Sequence, residues 1–187
     1  EKDSARKEFG LPLSKKIILF GAAKVTDKRK VLEFLIQAID EIGDKQKKDY
    51  LLVIFGKTVG LTAFSIENLS ISFINDEAKI AALYSAADVF VVPSLEDNLP
   101  NTIMEAMSCG TPVVAFNTGG IPEMVSHKTN GYLAKLKDAS DLANGINWVL
   151  NNPDYKVLSF EARKKVVDSY SEEYVAKKYF DLYNQLL

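Results

Sequence analysis

Cysteine and histidine each occur once in this chain of 187 residues, as Cys109 and His127, so neither an intrachain disulfide framework nor a Cys/His zinc cluster can be assembled. A reducing compartment suits such a chain. Net charge is equally sparse, with 23 Lys and Arg against 25 Asp and Glu and a formal balance of −2. No global basic field is available to attract a nucleic-acid backbone or an anionic leaflet, and nucleic acid is not expected as a partner. Long apolar runs are missing. The longest, such as Val89 to Val92 and Leu51 to Phe55, are strand-sized and far short of a bilayer span, so no transmembrane segment is expected. Gly-x-Gly-x-x-Gly is absent, as is the Gly-x4-Gly-Lys-Ser/Thr frame of a P-loop, which argues against dinucleotide and ATPase readings. No Asp-x-Asp occurs either, so no metal bridging phosphates is expected. The first residues, Glu1-Lys2-Asp3-Ser4, carry neither an initiator Met nor the apolar run of a signal peptide, and the sequence reads as a fragment of a longer chain.

What is present is an ordinary globular composition, 47% hydrophobic and 26% charged. A chain of this length forms one domain and buries roughly 70% of the surface it exposes unfolded. The pattern alternates along its length. Apolar runs at Ile17 to Gly21, Tyr50 to Phe55, Leu69 to Ile74, Asp88 to Pro93 and Pro112 to Phe116 read as strands, with a short edge strand at Tyr132 to Ala134. Between them, helical spacing covers Lys30 to Ile42, Asp76 to Ala86, Asn101 to Cys109, Ile121 to Ser126 and Ser140 to Leu150. Beyond Pro153 the pattern is helical throughout. Strands apolar on both faces and separated by helices predict a Rossmann-like, doubly wound parallel sheet with helices on both faces. In such a sheet, ligands bind outside the carboxyl ends of the strands, so the loops after Phe20, Phe55, Pro93 and Phe116 are expected to face one crevice.

Those loops carry chemistry. The first, Gly21 to Lys30, holds the cations Lys24, Lys28, Arg29 and Lys30 between a strand end and a helix start, an arrangement that suits a diphosphate but also reads as a solvated charged face. After the fourth strand comes Pro93-Ser94-Leu95-Glu96-Asp97-Asn98-Leu99-Pro100-Asn101-Thr102-Ile103-Met104-Glu105-Ala106-Met107. It places one carboxylate on a loop and another, Glu105, in the early turns of the following helix, where the two can bind different hydroxyls of one ligand. A carboxylate near a helix start also compensates the helix dipole, by about 0.3–1 kcal/mol. After the fifth strand, Thr118-Gly119-Gly120 forms a turn in which glycines permit close backbone approach and helix N-terminal amides favour an anion.

The stretch from Asp97 to Val114 resembles the donor-binding signature of GT-B glycosyltransferases, specifically glycosyltransferase family 4 (glycosyl transferases group 1), in which an acidic residue and seven further residues precede Glu-Ala-Met. The resemblance implies the C-terminal, donor-binding half of a GT-B fold, with the N-terminal acceptor domain absent from the chain. It implies a retaining enzyme that transfers a hexose from a nucleoside-diphosphate sugar, UDP- or GDP-linked with UDP favoured, to a saccharide or lipid-linked acceptor. Polysaccharide assembly in the cytoplasm, at the inner face of a membrane touched peripherally through the absent domain, is the implied setting. Asp97, Asn98 and Leu99 are then expected to meet the donor sugar, Glu105 the ribose, and Gly21, Gly56, Thr118, Gly119 and Gly120 the nucleotide and its phosphates. Lys30 matches the lysine that contacts the diphosphate. Its partner arginine corresponds to Arg29 or Lys24, with Arg29 ranked first because a guanidinium offers a bidentate fork. Asp97 stands where the family has Glu, Ala22 where the arginine usually follows, and Glu96 is an alternative to Asp97. No metal and no cofactor are expected beyond the donor itself, and the isolated domain is expected to be inactive. A sugar-nucleotide binding module that does not turn its ligand over, or a sugar-nucleotide epimerase, are the alternatives. His127 is expected on a surface loop without catalytic duty, Cys109 as a small buried residue, and Tyr174, Tyr179, Phe180 and Tyr183 as packing residues of the last helix.

Overall fold

The computed structural model describes residues 2–24, 32–57 and 64–186. A short helix α1 (Lys2–Glu8) leads into β1 (Lys16–Lys24), followed by α2 (Leu32–Glu41), the one-turn α3 (Asp44–Lys47), β2 (Tyr50–Lys57) and β3 (Asn68–Ile71). Then come α4 (Glu77–Ala86), β4 (Val89–Val92), α5 (Asn101–Ser108), β5 (Val113–Phe116), α6 (Ile121–Met124) and β6 (Gly131–Ala134). Three helices close the chain: α7 (Ala139–Leu150), α8 (Tyr155–Tyr170) and α9 (Glu172–Leu186).

The strands form one six-stranded sheet in the order β3-β2-β1-β4-β5-β6, with each neighbouring pair parallel. The winding runs outward from β1 to β3 and then resumes on the other side of β1 at β4. That reversal leaves a crevice outside the carboxyl ends of β1 and β4, where open α/β sheets bind ligands. Alternate side chains of one strand feed two cores. Ile17 and Leu19 pack with Leu83, Ile103, Met107 and Ala162 beneath α1, α4, α5 and α8. Ile18 and Phe20 pack with Leu35, Ile39, Leu142 and Ile146 beneath α2 and α7. The doubly wound reading from sequence is therefore the observed architecture.

The starts of α4 and α7 are fixed by side chains. Asp76 accepts the Lys79 amide at 3.1 Å and Asp138 accepts the Asp141 amide at 2.9 Å, the N-cap geometry that satisfies an otherwise orphaned donor. At the sheet edge opposite the crevice, Asp88 opens the turn into β4 and gathers charge. Its carboxylate accepts Arg6 Nη2 at 2.6 Å, Lys2 Nζ at 2.7 Å and the Ile17 amide at 2.6 Å, while its carbonyl accepts the Tyr155 hydroxyl at 2.9 Å. This node ties α1 and α8 to the start of the central strands.

Several expectations need correcting. The third strand is expected to run from Leu69 to Ile74 but spans Asn68–Ile71, because its pairing with β2 stops at Phe55 and Ile71. The segment expected as helix from Ile121 to Ser126 ends at Met124, since the Asn130 side chain takes the Ser126 amide at 2.8 Å. Cys109 is half-buried at the end of α5 rather than enclosed. The aromatic residues of α9 are not packing residues within the described chain: Tyr179, Phe180 and Tyr183 are 57%, 65% and 60% exposed, because α9 packs chiefly on α8.

Candidate functional site at the carboxyl ends of β1, β4 and β5

The site is built where β4 and β5 end side by side, with Val92 paired to Ala115. The chain leaving β4 passes through Pro93 to Pro100 before α5 begins, and the chain leaving β5 turns at Thr118 to Gly120 into α6. The two loops are joined directly. Thr118 Oγ1 donates to the Leu95 carbonyl at 2.9 Å, and the Gly120 amide donates to the Asp97 carbonyl at 3.0 Å. The glycines are what allow this. A Cβ on Gly119, whose φ is +53°, would sit 2.0 Å from Asp97 O, and one on Gly120 would sit 1.7 Å from Asn98 O. Their close approach is made to the protein's own loop, which shapes the crevice, with Asp97 half-buried and Glu96, Asn98 and Leu99 exposed.

Pro100 serves as N-cap of α5 without a side-chain cap bond; its carbonyl accepts the Ile103 amide at 2.9 Å, and the amides of Asn101 and Thr102 have no acceptor among the described residues. Two hydroxyls flank the loop, Ser94 Oγ at its start and Thr102 Oγ1 in the first turn of α5. Both are buried without a hydrogen-bond partner among the described residues. An unpaired buried hydroxyl costs about 1–3 kcal/mol, so these atoms together with the helix N-terminus suit a ligand rich in oxygen. Neither hydroxyl was singled out from sequence, where Ser and Thr beside a turn look ordinary.

Glu105 lies one helical turn further on. Among the described residues its carboxylate makes no hydrogen bond to the Asp97 loop. Instead Oε2 accepts the Tyr84 hydroxyl at 3.0 Å, across a cavity of about 280 Å³ between α4 and α5 that Ile80, Ser108 and Cys109 also line. Tyr84 is 1% exposed, edge-on to Phe55 and Phe90 at centroid distances of 5.7 and 5.2 Å, and its carbonyl accepts Thr111 Oγ1 at 2.7 Å. Burial, and then the negative charge of Glu105, push the Tyr84 phenol far above its ordinary range, so the hydroxyl remains a donor. Tyr84 is the partner of Glu105 that sequence reading missed, since on its helix it registers only as one more apolar position.

Gly21 and Gly56 lie at the ends of β1 and β2, paired with Phe55 and Ala22 respectively. A Cβ on Gly21 would meet the Phe55 ring at 1.9 Å, and Gly56 has a φ of +120°. Gly21 is thus a glycine because an aromatic ring covers it. Lys30 and Arg29 lie outside the described residues, as does the side chain of Lys24. His127 is exposed, its Nδ1 accepting the Leu133 amide at 3.2 Å, and stands apart from the crevice beside β6. Among the described residues no group of three or more His, Cys, Asp or Glu could hold a metal ion, and no helix is long and apolar enough to cross a membrane.

The comparisons with known proteins bear on the family and the fold. The family model described as Glycosyl transferases group 1 matches residues 1–168. An uncharacterized glycosyltransferase of Methanocaldococcus jannaschii is 30% identical over 195 residues, covering 98% of this chain and 48% of the relative. The structure of sucrose-phosphate synthase from Thermosynechococcus elongatus superposes with a TM-score of 0.83 at 29% identity, over 98% of this chain and 48% of that one. An Anabaena protein crystallised with UDP-glucose superposes with a TM-score of 0.80 at 19% identity, over 98% of this chain and 52% of that one. The chain spans about half the length of the curated relatives it matches.

Proposed function

The chain belongs to the glycosyl transferases group 1 family, and from that premise we propose that it is the C-terminal, donor-binding half of a retaining GT-B hexosyltransferase. The donor is a nucleoside-diphosphate sugar, with UDP as the carrier, and the acceptor a saccharide or a lipid-linked saccharide. The observation that carries this reading is the junction of the Leu95–Asn98 loop with the Thr118–Gly120 turn beside the uncapped start of α5, at the sheet's switch point. The solved complex of a fold neighbour with UDP-glucose supports the choice of ligand.

In this reading the diphosphate lies at the α5 N-terminus, the sugar faces Asp97, Asn98 and Leu99, and the ribose hydroxyls face Glu105. Four helical steps lead from Asn101 to Glu105, about 6 Å along the axis, a span that fits the distance from phosphate to ribose in one nucleotide. Lys30, with Arg29 or Lys24, stabilises the departing diphosphate, so catalysis rests on charge stabilisation of the leaving group rather than on a protein nucleophile or a metal. The acceptor is held by an N-terminal half for which the exposed aromatics of α9 provide a contact face, and the enzyme works at the cytoplasmic face of a membrane. The chain by itself binds donor and does not transfer sugar.

Calorimetric titration with UDP, GDP, ADP and UDP-glucose, with and without EDTA, tests this. UDP and UDP-glucose are expected to bind equally well in EDTA. Asp97→Ala is expected to weaken UDP-glucose by about 1–3 kcal/mol and leave UDP unchanged, while Lys30→Ala weakens both. Binding that appears only with a divalent metal, or no binding of any of the four ligands at millimolar concentration, would contradict the proposal.

A further inference from the structure

We infer that Tyr84 is a positioning residue of the nucleotide site, whose hydroxyl holds the Glu105 carboxylate in the one orientation that receives the ribose diol. This rests on the donor reading above, which makes Glu105 the ribose acceptor, and adds to it the group that aims that acceptor.

The geometry is specific. Glu105 is exposed on the second turn of α5, and a glutamate there has three side-chain torsions free to sweep solvent. Only one bond restrains its carboxylate among the described residues, the Tyr84 hydroxyl donating to Oε2 at 3.0 Å. Oε1 receives no donor among those residues and is left for a ligand. The donor itself cannot wander. The Tyr84 ring is 1% exposed, wedged edge-on between Phe55 and Phe90, and its backbone carbonyl is tied to Thr111 at 2.7 Å. A rigid phenol on α4 thus fixes a mobile carboxylate on α5, across the cavity of about 280 Å³ that both line.

The same packing links the pair to the rest of the crevice. Phe55, which meets Tyr84 edge-on, is the ring that fills the space where a Gly21 side chain would stand. The end of β1 and the ribose acceptor are therefore buttressed by one aromatic stack. A carboxylate already oriented loses less side-chain freedom when it binds two hydroxyls, which is how a second residue raises affinity without touching the ligand.

The test is a double-mutant cycle on this chain, using Tyr84→Phe, Glu105→Ala and the double variant, titrated with UDP and with 2′-deoxy-UDP. Tyr84→Phe keeps the buried ring and removes only the hydroxyl. It is expected to weaken UDP about 2- to 10-fold, the range for loss of one hydrogen bond, and to leave 2′-deoxy-UDP nearly unchanged, so that the ribose preference of the unaltered chain shrinks. The double variant is expected to bind as Glu105→Ala does. A purely structural role would lower the unfolding midpoint and weaken both nucleotides equally, which overturns the inference, as does additivity in the cycle. If Glu105→Ala binds UDP as tightly as the unaltered chain, the donor reading of Glu105 fails instead. A ligand-free measurement separates the two cases. Three-bond NMR couplings along the Glu105 side chain are expected to report one rotamer in the unaltered chain and averaging in Tyr84→Phe. Averaging in both would refute the positioning role whatever the nucleotide does.

Discussion

At the scale of single residues, glycine and tyrosine show how little of a site's logic is carried by residue type alone. Gly10 and Gly119 both have positive φ, at +63° and +53°, yet a Cβ on Gly10 meets nothing within 4 Å whereas one on Gly119 meets the Asp97 carbonyl at 2.0 Å. Gly10→Ala should therefore cost only the left-handed backbone penalty, about 1–2 kcal/mol. Gly119→Ala should cost that plus an overpacking penalty of about 1–3 kcal/mol and should also weaken UDP-glucose, because the Asp97 loop must move. Denaturant unfolding with parallel titrations checks both. The buried phenols give a pH prediction. Burial raises Tyr84 and Tyr155 well above 10, and burial with the Asp141 hydrogen bond pushes Tyr132 up to about 12. Each phenol ionises more readily in the unfolded chain, so their stabilisation is complete below pH 10 and is lost as pH rises towards the folded values. The unfolding midpoint should fall steeply between pH 10 and 12, and Tyr155→Phe should flatten that fall. An unchanged slope in Tyr155→Phe would be the contrary result.

At the scale of elements, the sequence pattern was readable wherever local chemistry and burial agree. β4 and β5 are apolar on both faces because both faces are covered, and α4 and α7 begin where Asp76 and Asp138 supply cap oxygens. Asp76→Ala and Asp138→Ala should each cost about 0.5–2 kcal/mol, measured by thermal unfolding. Where pairing partners decide, periodicity misleads: Ser72 to Ile74 continue an apolar pattern but lie past the last pair between β2 and β3. The site divides in the same way. Asp97 and Glu105 are singled out in the sequence by a spacing that resembles the family's, and the Thr118–Gly120 turn by its glycines. Tyr84, Ser94 and Thr102 are not, since a phenol meeting a carboxylate 21 residues away, or a hydroxyl left without a partner, exists only once the helices are packed. The apolar face of α9 was read as core because helical spacing reports amphipathicity and not what covers it.

At the scale of the molecule, the sheet separates two edges with different work. The carboxyl edge carries the loops, the open helix start and the unpaired hydroxyls. The amino edge carries the Asp88 node, where Arg6 at 5% exposure would be left as a buried unpaired charge by Asp88→Ala. That change should cost about 3–5 kcal/mol of stability and leave nucleotide affinity unaltered under folding conditions, a separation that unfolding curves and calorimetry can read. The central claim concerns which edge meets the donor. An amide-resolved NMR titration of the chain with UDP-glucose tests it most directly. Shifts are expected at residues 24–30, 94–105 and 117–121, with the amides of Lys16, Asp88, Gly110 and Asn151 unmoved. Shifts clustered at those four, or spread evenly over the sheet, would contradict it.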